Sequence, residues 1–215
     1  MAIKNNTTMN RLIIPFCALA LLAVACSSAK KQHVSTNTKN DFMPSPDRKF
    51  DIETFNKNKD ESNYWEFTDN EDIEVVQYSI MNNEYYERKK KPKDLIEEYY
   101  AYYENGNLKK EARCFMNNFI GKAYIYDSTG KLTEIIDYDI NYKYSLENVL
   151  CFVKKHKIDL LHKHTIIKRY EDKKRGYGYC WFIMWQNPRK KGLTVVILSG
   201  EDGKILEKRT EYLKM

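Results

Sequence analysis

Two histidines, His162 and His164, are the residues whose type and spacing come nearest to a chemical site. Separated by one residue, they would point to the same face of an extended segment, where two imidazoles can begin a metal site. Such a site needs at least one more ligand, and no spacing in the sequence supplies it. The chain has no G-x-S-x-G, H-E-x-x-H, P-loop or G-x-G-x-x-G motif. We therefore predict no catalytic residue, no metal and no cofactor, and so a protein that is not an enzyme.

Cysteine chemistry has three further candidates, Cys114, Cys151 and Cys180. No two of them form a C-x-x-C pair, the spacing of zinc and thioredoxin-like redox sites. Cys180 lies in the aromatic and apolar run 179–183, where a small buried side chain is its natural role. We expect buried free thiols. A Cys151–Cys180 disulfide is the alternative, because an exported protein can form one.

The amino terminus has the pattern of an export signal. Residues 1–11 contain Lys4 and Arg11 and no acidic residue, and residues 12–24 are an unbroken run of apolar and small side chains. As a helix this run would span roughly 20 Å at about 1.5 Å per residue, short of the roughly 30 Å hydrocarbon core of a bilayer. Pro15 also disfavours a long permanent helix. Residues 1–25 are therefore predicted to be a signal peptide.

A cysteine ends this run in the order Leu22-Ala23-Val24-Ala25-Cys26. The segment resembles the lipobox of bacterial lipoproteins, although Ala23 stands where leucine is more usual. The resemblance implies that Cys26 carries a diacylglycerol and becomes the first residue of the mature chain. Two or more acyl groups anchor a chain firmly, since each buried methylene contributes about 0.8 kcal/mol. The alternative is an ordinary signal peptide cleaved after the A-x-A-like sequence Ala23-Val24-Ala25.

The residues that follow the cysteine bear on location. Ser27 follows Cys26, and in this the chain resembles lipoproteins that are sent to the outer membrane of two-membrane bacteria. Surface export is associated with acidic residues there, whereas this chain has Ala29, Lys30 and Lys31. We therefore expect the protein at the cell outer membrane, facing the periplasm.

Composition and charge narrow the class of protein further. The chain has 215 residues, of which 42% are hydrophobic and 17 are tyrosine, which is too apolar and aromatic for a disordered chain. The formal net charge of +6 falls to +4 when Lys4 and Arg11 leave with the signal peptide. Because the remaining basic residues are interspersed with acidic ones, no nucleic-acid partner is expected. The expected contacts are the membrane, through lipidated Cys26, and a protein partner.

The mature chain divides into a tether and two folded regions. Residues 26–48 are polar and lack an apolar period, so they are predicted to be a flexible tether. Order is expected to begin near Phe50. Tyr64–Thr68 and Ile73–Tyr78 are rich in β-forming residues, and Asp69–Asp72 between them has turn chemistry. Residues 49–144 are therefore predicted to be an antiparallel β-hairpin domain.

One internal repeat lies within that domain, with matching residues 24 positions apart. The matching positions are Tyr102 and Tyr126, Gly106 and Gly130, and Leu108 and Leu132. The two units resemble the MORN-type repeat, in the diverged form of bacterial proteins that read Y-x-x-x-G-x-L. The resemblance covers about residues 98–138 and implies a meandering antiparallel sheet used as an interaction surface. Some bacterial proteins with such repeats are labelled antitoxin-like.

Tyrosines are concentrated in and beside these units. Six of them are candidates for an aromatic recognition face: Tyr99, Tyr100, Tyr102, Tyr103, Tyr124 and Tyr126. The alternative, which we favour, is that these side chains pack across strands on a half-buried sheet.

The pattern changes at residue 145. Ser145 can cap a helix, and residues 146, 149, 150 and 153 form one apolar stripe. Strands are expected at about 165–170, 177–186, 193–198 and 204–212, with a hairpin at 200–203. One helix followed by a curled antiparallel sheet resembles the PepSY-like domains of bacterial envelope proteins. The resemblance covers residues 145–215 and implies a small α+β domain, often a regulatory or inhibitory partner in the periplasm.

These patterns predict an α+β fold, predominantly an antiparallel β-meander of MORN-like hairpins followed by a small domain of one helix and an antiparallel sheet. The expected function is that of a lipid-anchored, non-enzymatic cell-envelope protein that binds or scaffolds a protein partner. The alternative is an inhibitor or immunity protein, antitoxin-like, that blocks a toxin or an envelope hydrolase. Cys26, as the lipid-attachment site, is the one residue for which we expect a chemical role.

Overall fold

The computed structural model describes residues 43–80, 84–187 and 192–212. The predicted signal peptide, Cys26 and most of the predicted tether lie outside these residues. Two antiparallel sheets and two helices make up the described chain, which is an α+β architecture dominated by β-structure. Neither helix is long and apolar enough to cross a membrane.

Seven strands follow one another as neighbours in the first sheet. They are β1 (Tyr64–Thr68), β2 (Glu74–Ile80), β3 (Glu84–Lys90), β4 (Ile96–Tyr102), β5 (Leu108–Phe115), β6 (Asn118–Tyr126) and β7 (Leu132–Asp137). Every neighbouring pair is antiparallel, so the sheet is a meander of hairpins, as the turn-rich sequence predicts.

The 24-residue repeat is visible in the backbone. The strand register shifts next to Tyr102 in the β4–β5 pair and again next to Tyr126 in the β6–β7 pair. Gly106 and Gly130 lie in the two turns with φ of +78° and +91°, the left-handed region that favours glycine. An added Cβ at Gly106 would also lie 3.0 Å from the carbonyl oxygen of Phe50. The two units therefore share a bulge and a turn as well as sequence positions.

The chain packs on the sheet earlier than the predicted tether allows. Residues 45–50, which we name the strap, lie along the first sheet: Phe50 N donates to Gly106 O at 2.9 Å, and Lys49 forms a β-bridge with Asn107. The expectation of a free tether up to Arg48 therefore does not describe residues 45–48. Their composition is polar, and their partners are distant in sequence, so a local pattern does not reveal the contact.

A short helix that the sequence analysis does not predict follows the strap. It is α1 (Ile52–Asn58), and Asp51 caps it by accepting a hydrogen bond from Thr54 N at 2.9 Å. Phe55 is its one buried residue. Because a helix of this length with a single buried side chain has no apolar period, its sequence carries only the cap as a signal.

The second helix and the second sheet confirm the predicted order of elements after residue 144. The helix is α2 (Leu146–Lys155), with Ser145 as its N-cap and with Leu146, Val149 and Val153 buried. The strands are β8 (Ile166–Asp172), β9 (Gly178–Gln186), β10 (Leu193–Ser199) and β11 (Ile205–Glu211), in the spatial order β11-β10-β9-β8. All three pairs are antiparallel.

One hydrophobic cluster joins the two sheets. The α2 stripe packs against Trp181 and Ile183 of β9, and Phe115 and Ile120 of the first sheet belong to the same cluster. Asn118 reinforces the junction, because its side chain donates to Ile167 O at 2.9 Å and accepts from Arg169 N at 2.9 Å. The boundary expected near residue 144 therefore falls between elements that share one core.

The three described cysteines are all free. Cys114 and Cys180 are buried, as predicted, and burial raises the pKa of the Cys114 thiol to about 12. Cys151 is exposed on α2, so the prediction of burial is wrong for this residue. Cys151 lies next to the apolar stripe of α2 in sequence, but it is not among the residues of the helix that are buried.

Candidate functional site

Strand alternation divides the aromatic side chains of the first sheet between two faces. On the strap face, which the strap and α1 cover, Tyr85 lies opposite Tyr102 and Glu87 lies opposite Tyr100. On the other face, which we name the tyrosine face, Tyr78 of β2 lies opposite Tyr86 of β3. The two faces have different chemistry.

Aromatic packing holds the strap on its face of the sheet. The ring of Phe50 stacks on Tyr85 with 4.7 Å between centroids, and the guanidinium carbon of Arg48 lies 3.9 Å from the ring centroid of Tyr100. Phe50 and Phe55 share a buried cluster with Tyr102. These residues bury Tyr100 and Tyr102 beneath the strap.

A carboxylate–phenol pair recurs in both repeat units beneath the strap. Tyr102 Oη donates to Glu87 Oε1 at 3.3 Å, and 24 residues later Tyr126 Oη donates to Glu111 Oε1. The repeat therefore includes a buried glutamate in each unit, at positions 87 and 111, which the sequence analysis does not identify. Burial first, and then the neighbouring carboxylates, raise the pKa of Tyr102 and of Tyr126, so both phenols keep their protons.

The strap donates a further hydrogen bond to each glutamate. Arg48 Nη2 donates to Glu87 Oε1 at 2.5 Å, and the backbone N–H of Ser45 donates to Glu111 Oε1 at 2.8 Å. Gln77 Nε2 donates to the second oxygen of Glu87 at 2.6 Å. Since Glu111 is fully buried, these carboxylates fasten the strap and are closed to a substrate.

The tyrosine face carries a row of aromatic rings that crosses the sheet from β2 to the residue after β7. Successive ring centroids are 5.1, 6.3, 5.2 and 5.2 Å apart. The members are Tyr78, Tyr86, Tyr99, Phe119 and Tyr138. Every ring is half-buried, and none belongs to either buried cluster. The row is thus a continuous aromatic surface that stays partly accessible.

Charged side chains fix the row in place. Lys110 Nζ lies 3.8 Å from the ring centroid of Phe119 and donates to Tyr138 Oη at 3.0 Å. Tyr86 Oη donates to Glu84 at 2.8 Å, and burial together with this bond raises the pKa of Tyr86 to about 12. Burial also raises the pKa of Tyr99. The row therefore presents neutral phenols and ring edges, a surface that is apolar and hydrogen-bonding at once.

The tyrosines that the sequence suggests as one aromatic recognition face lie on two opposite faces of the sheet. Tyr100, Tyr102 and Tyr126 are buried on the strap face, as the packing interpretation predicts, whereas Tyr99 lies in the row on the opposite face. Four members of the row are not predicted from the sequence: Tyr78, Tyr86, Phe119 and Tyr138. The signal that could have found two of them is the hairpin register, which places Tyr78 and Tyr86 side by side.

The histidine pair lies in the turn before β8. The ring centroids of His162 and His164 are 5.4 Å apart, and His164 N donates to His162 Nδ1 at 3.2 Å. This bond occupies one of the two ring nitrogens of His162. Within the described ranges, no group of three or more His, Cys, Asp or Glu side chains is placed to hold a metal ion.

A depression lies on the face of the second sheet that is opposite to α2. Its volume is about 510 Å³, and Ile166, Phe182, Met184 and Ile197 supply its apolar side chains. Arginines at its rim are neutralised by neighbouring acids: Arg175 pairs with Asp172 and Glu207, and Arg209 pairs with Glu207 and Glu211. The depression can receive apolar groups, and Lys168 and Arg169 line it as well, so most of its charged lining residues are basic.

Comparison with known proteins adds no relative: no protein-family model, no curated protein and no solved structure matches this chain.

Proposed function

We propose that this protein is a lipid-anchored, non-enzymatic protein of the cell envelope that binds or scaffolds a protein partner through its tyrosine face. The observation that carries the proposal is the half-exposed aromatic row from Tyr78 to Tyr138. The lipobox-like segment ending at Cys26 supports the anchor, and Ser27 with Lys30 and Lys31 supports the periplasmic side of the outer membrane.

Tyrosine suits a binding surface for a physical reason. Its ring offers a large apolar area, its hydroxyl offers a hydrogen bond, and it has few rotamers to lose, so it is enriched at protein interfaces. In this row the cross-strand contacts already restrict Tyr86 and Tyr99, which reduces the entropy lost on binding. Buried aromatic anchors at the centre of an interface typically cost about 2 kcal/mol or more when truncated.

A capture experiment tests the binding proposal. The full chain is purified from detergent extracts with its bound proteins, beside the double variant Tyr86→Ala/Tyr99→Ala and the control Tyr212→Ala, an exposed tyrosine outside the row. The affinity of the double variant for the partner should fall about tenfold or more, which corresponds to a loss of about 1.4 kcal/mol in binding free energy. The control should capture as much partner as the unsubstituted chain. Thermal unfolding of each variant establishes that the fold is intact. Equal capture by the folded double variant contradicts the tyrosine face as the binding surface.

The same experiment separates the alternative function. MORN-type and PepSY-like resemblances both suggest an inhibitor or immunity protein. A captured toxin or envelope hydrolase whose activity falls in proportion to added protein favours that function. A structural envelope protein without such activity favours scaffolding.

Mass spectrometry of the mature chain tests the anchor. Both a lipoprotein signal and an ordinary A-x-A-like signal place Cys26 first, so the amino-terminal sequence alone does not distinguish them. A mass increase of a diacylglycerol on Cys26, and loss of Cys26→Ser from the membrane fraction, are expected for the lipoprotein. An unmodified Cys26 contradicts the anchor and leaves the tyrosine face as a separate question.

A further inference from the structure

Within the described chain, the outer edge of β7 is an unpaired strand edge of the first sheet, as is the outer edge of β1. Five of the six residues of β7 are exposed, and Ile135 is 52% exposed. The edge strands of the second sheet, β8 and β11, instead carry mixed Lys, Arg, Asp and Glu side chains, which discourage pairing with another chain.

The repeat shows what kind of element this edge accepts. β7 in the second unit corresponds to β5 in the first, because Leu132 and Leu108 follow equivalent turns and face equivalent bulges next to Tyr126 and Tyr102. The corresponding edge of β5 is paired with the antiparallel strand β6. The edge of β7 therefore has the geometry of a position that is filled one unit earlier in the same sheet.

Backbone direction fixes which groups are free. Tyr138 N donates to Gly121 O at 2.9 Å, so the backbone of residue 138 points towards β6. Since this direction alternates along an antiparallel strand, residues 136 and 134 also point to β6. The N–H and C=O groups of Ile135 and Asp137 consequently point outward, whereas Thr133 is the extra residue of the bulge between Glu134 and Leu132.

We propose that β7 pairs with β7 of a second copy of this chain, antiparallel and about a two-fold axis that passes by Ile135. Two-fold pairing is the commonest assembly of identical chains and makes each contact occur twice. It joins the two meanders into one fourteen-stranded sheet, because each copy contributes a seven-stranded sheet.

The register follows from the outward groups and the charges. With Ile135 opposite Ile135 of the second copy, two exposed apolar side chains meet and Glu134 lies opposite Ile136, so no two like charges face each other within the strand. A register shifted by two residues would place Glu134 opposite Glu134 of the second copy. That register is disfavoured, since like charges directly opposite each other destabilise a sheet. A second copy thus satisfies this edge without a like-charge pair.

Cysteine cross-linking of the full chain in detergent tests the register. All variants carry Cys151→Ser to remove the exposed native thiol. Residues 135 of the two copies would have Cα atoms about 5.5 Å apart, within the range for a disulfide, so Ile135→Cys should form a covalent dimer on mild oxidation. Thr133→Cys is the matched control: its two copies lie four residues apart, at least about 13 Å, and should not cross-link. A mixture of Glu134→Cys and Ile136→Cys chains, whose substituted residues would lie directly opposite each other, should again give a dimer.

Sedimentation equilibrium of the same preparations tests the assembly without a cross-link. The native chain should be a dimer, and Ile135→Lys should raise its dissociation constant at least tenfold, while Ile140→Lys, an exposed apolar residue beyond the strand, should not. A native chain that stays monomeric at high micromolar concentration overturns the proposal. So does equal cross-linking of Ile135→Cys and Thr133→Cys, or a monomer whose β7 edge binds only another protein.

Discussion

The strap makes a quantitative prediction about folding stability. Replacing Arg48 by Met keeps an unbranched apolar side chain but removes the guanidinium, which pairs with Glu87, lies over the Tyr100 ring and donates to Tyr102 Oη. The Glu87 side chain is only 8% exposed, so it is left charged and desolvated, with the hydrogen bonds from Gln77 and Tyr102 remaining.

The size of the loss follows from burial. Breaking a fully buried ion pair by removing one partner costs about 3–5 kcal/mol. Arg48 is 26% exposed and two hydrogen bonds to Glu87 survive, so we expect the free energy of unfolding to fall by about 2–3 kcal/mol. For a chain of this size, about 2–4 °C of melting temperature accompany each kcal/mol, which gives a decrease of roughly 4–12 °C.

Urea unfolding of the full chain, monitored by circular dichroism, measures this loss of stability. The double variant Arg48→Met/Glu87→Gln removes the stranded charge, so its loss should be at least about 1 kcal/mol smaller than the sum of the two single losses. Lys57→Met is the matched control, because Lys57 and Glu53 form an exposed i,i+4 pair worth about 0.5 kcal/mol or less. If Arg48→Met lowers the free energy of unfolding no more than Lys57→Met does, the ion pair with Glu87 does not hold the strap on the sheet.

Three further predictions concern turns, thiols and alkaline pH. Gly106→Ala should lower the free energy of unfolding by about 1 kcal/mol more than Gly130→Ala, because both have positive φ but only at Gly106 does an added Cβ meet a backbone oxygen at 3.0 Å; chemical denaturation of the two variants measures the difference. Cys151 should react with a maleimide in the folded state, whereas Cys114, which is buried with a raised pKa, should react only on unfolding, and mass spectrometry of peptides shows the order. The pKa of Tyr86 rises from 10.0 to about 12 on folding, so its stabilising contribution is complete below about pH 10 and is lost as the pH rises to about 12. Tyr86→Phe should therefore show a smaller fall in the free energy of unfolding between these pH values. An unchanged pH profile of stability contradicts the assignment.

The sequence predicts the elements whose causes are local. Ser145 and the apolar stripe after it identify α2, and Gly106 and Gly130 identify the repeated turns because few other residues take those φ values. The strap is not predicted, since Arg48 finds Glu87 across 39 positions and no periodicity marks such a contact. Composition alone assigns this segment to a tether.

The candidate site is harder to predict than the fold for a related reason. A tyrosine-rich strand predicts aromatic packing, but the face of the sheet on which each ring lies depends on the strand register and on bulges. Tyr99 and Tyr100 are neighbours in sequence and lie on opposite faces, and Tyr99 and Phe119 are distant in sequence and are in contact. The row becomes evident only when the six consecutive strands β2 to β7 are aligned.

The strap also has a mechanical consequence. Under the proposed lipid anchor, any pull from the membrane travels along the chain and reaches Ser45 and Arg48 before it reaches β1. These residues are bonded to Glu111 and Glu87 in two different hairpins, so the force is shared between β5 and β3 in the middle of the sheet. The first strand is thereby shielded from being peeled away, and the protein can remain folded while its envelope attachment is under tension.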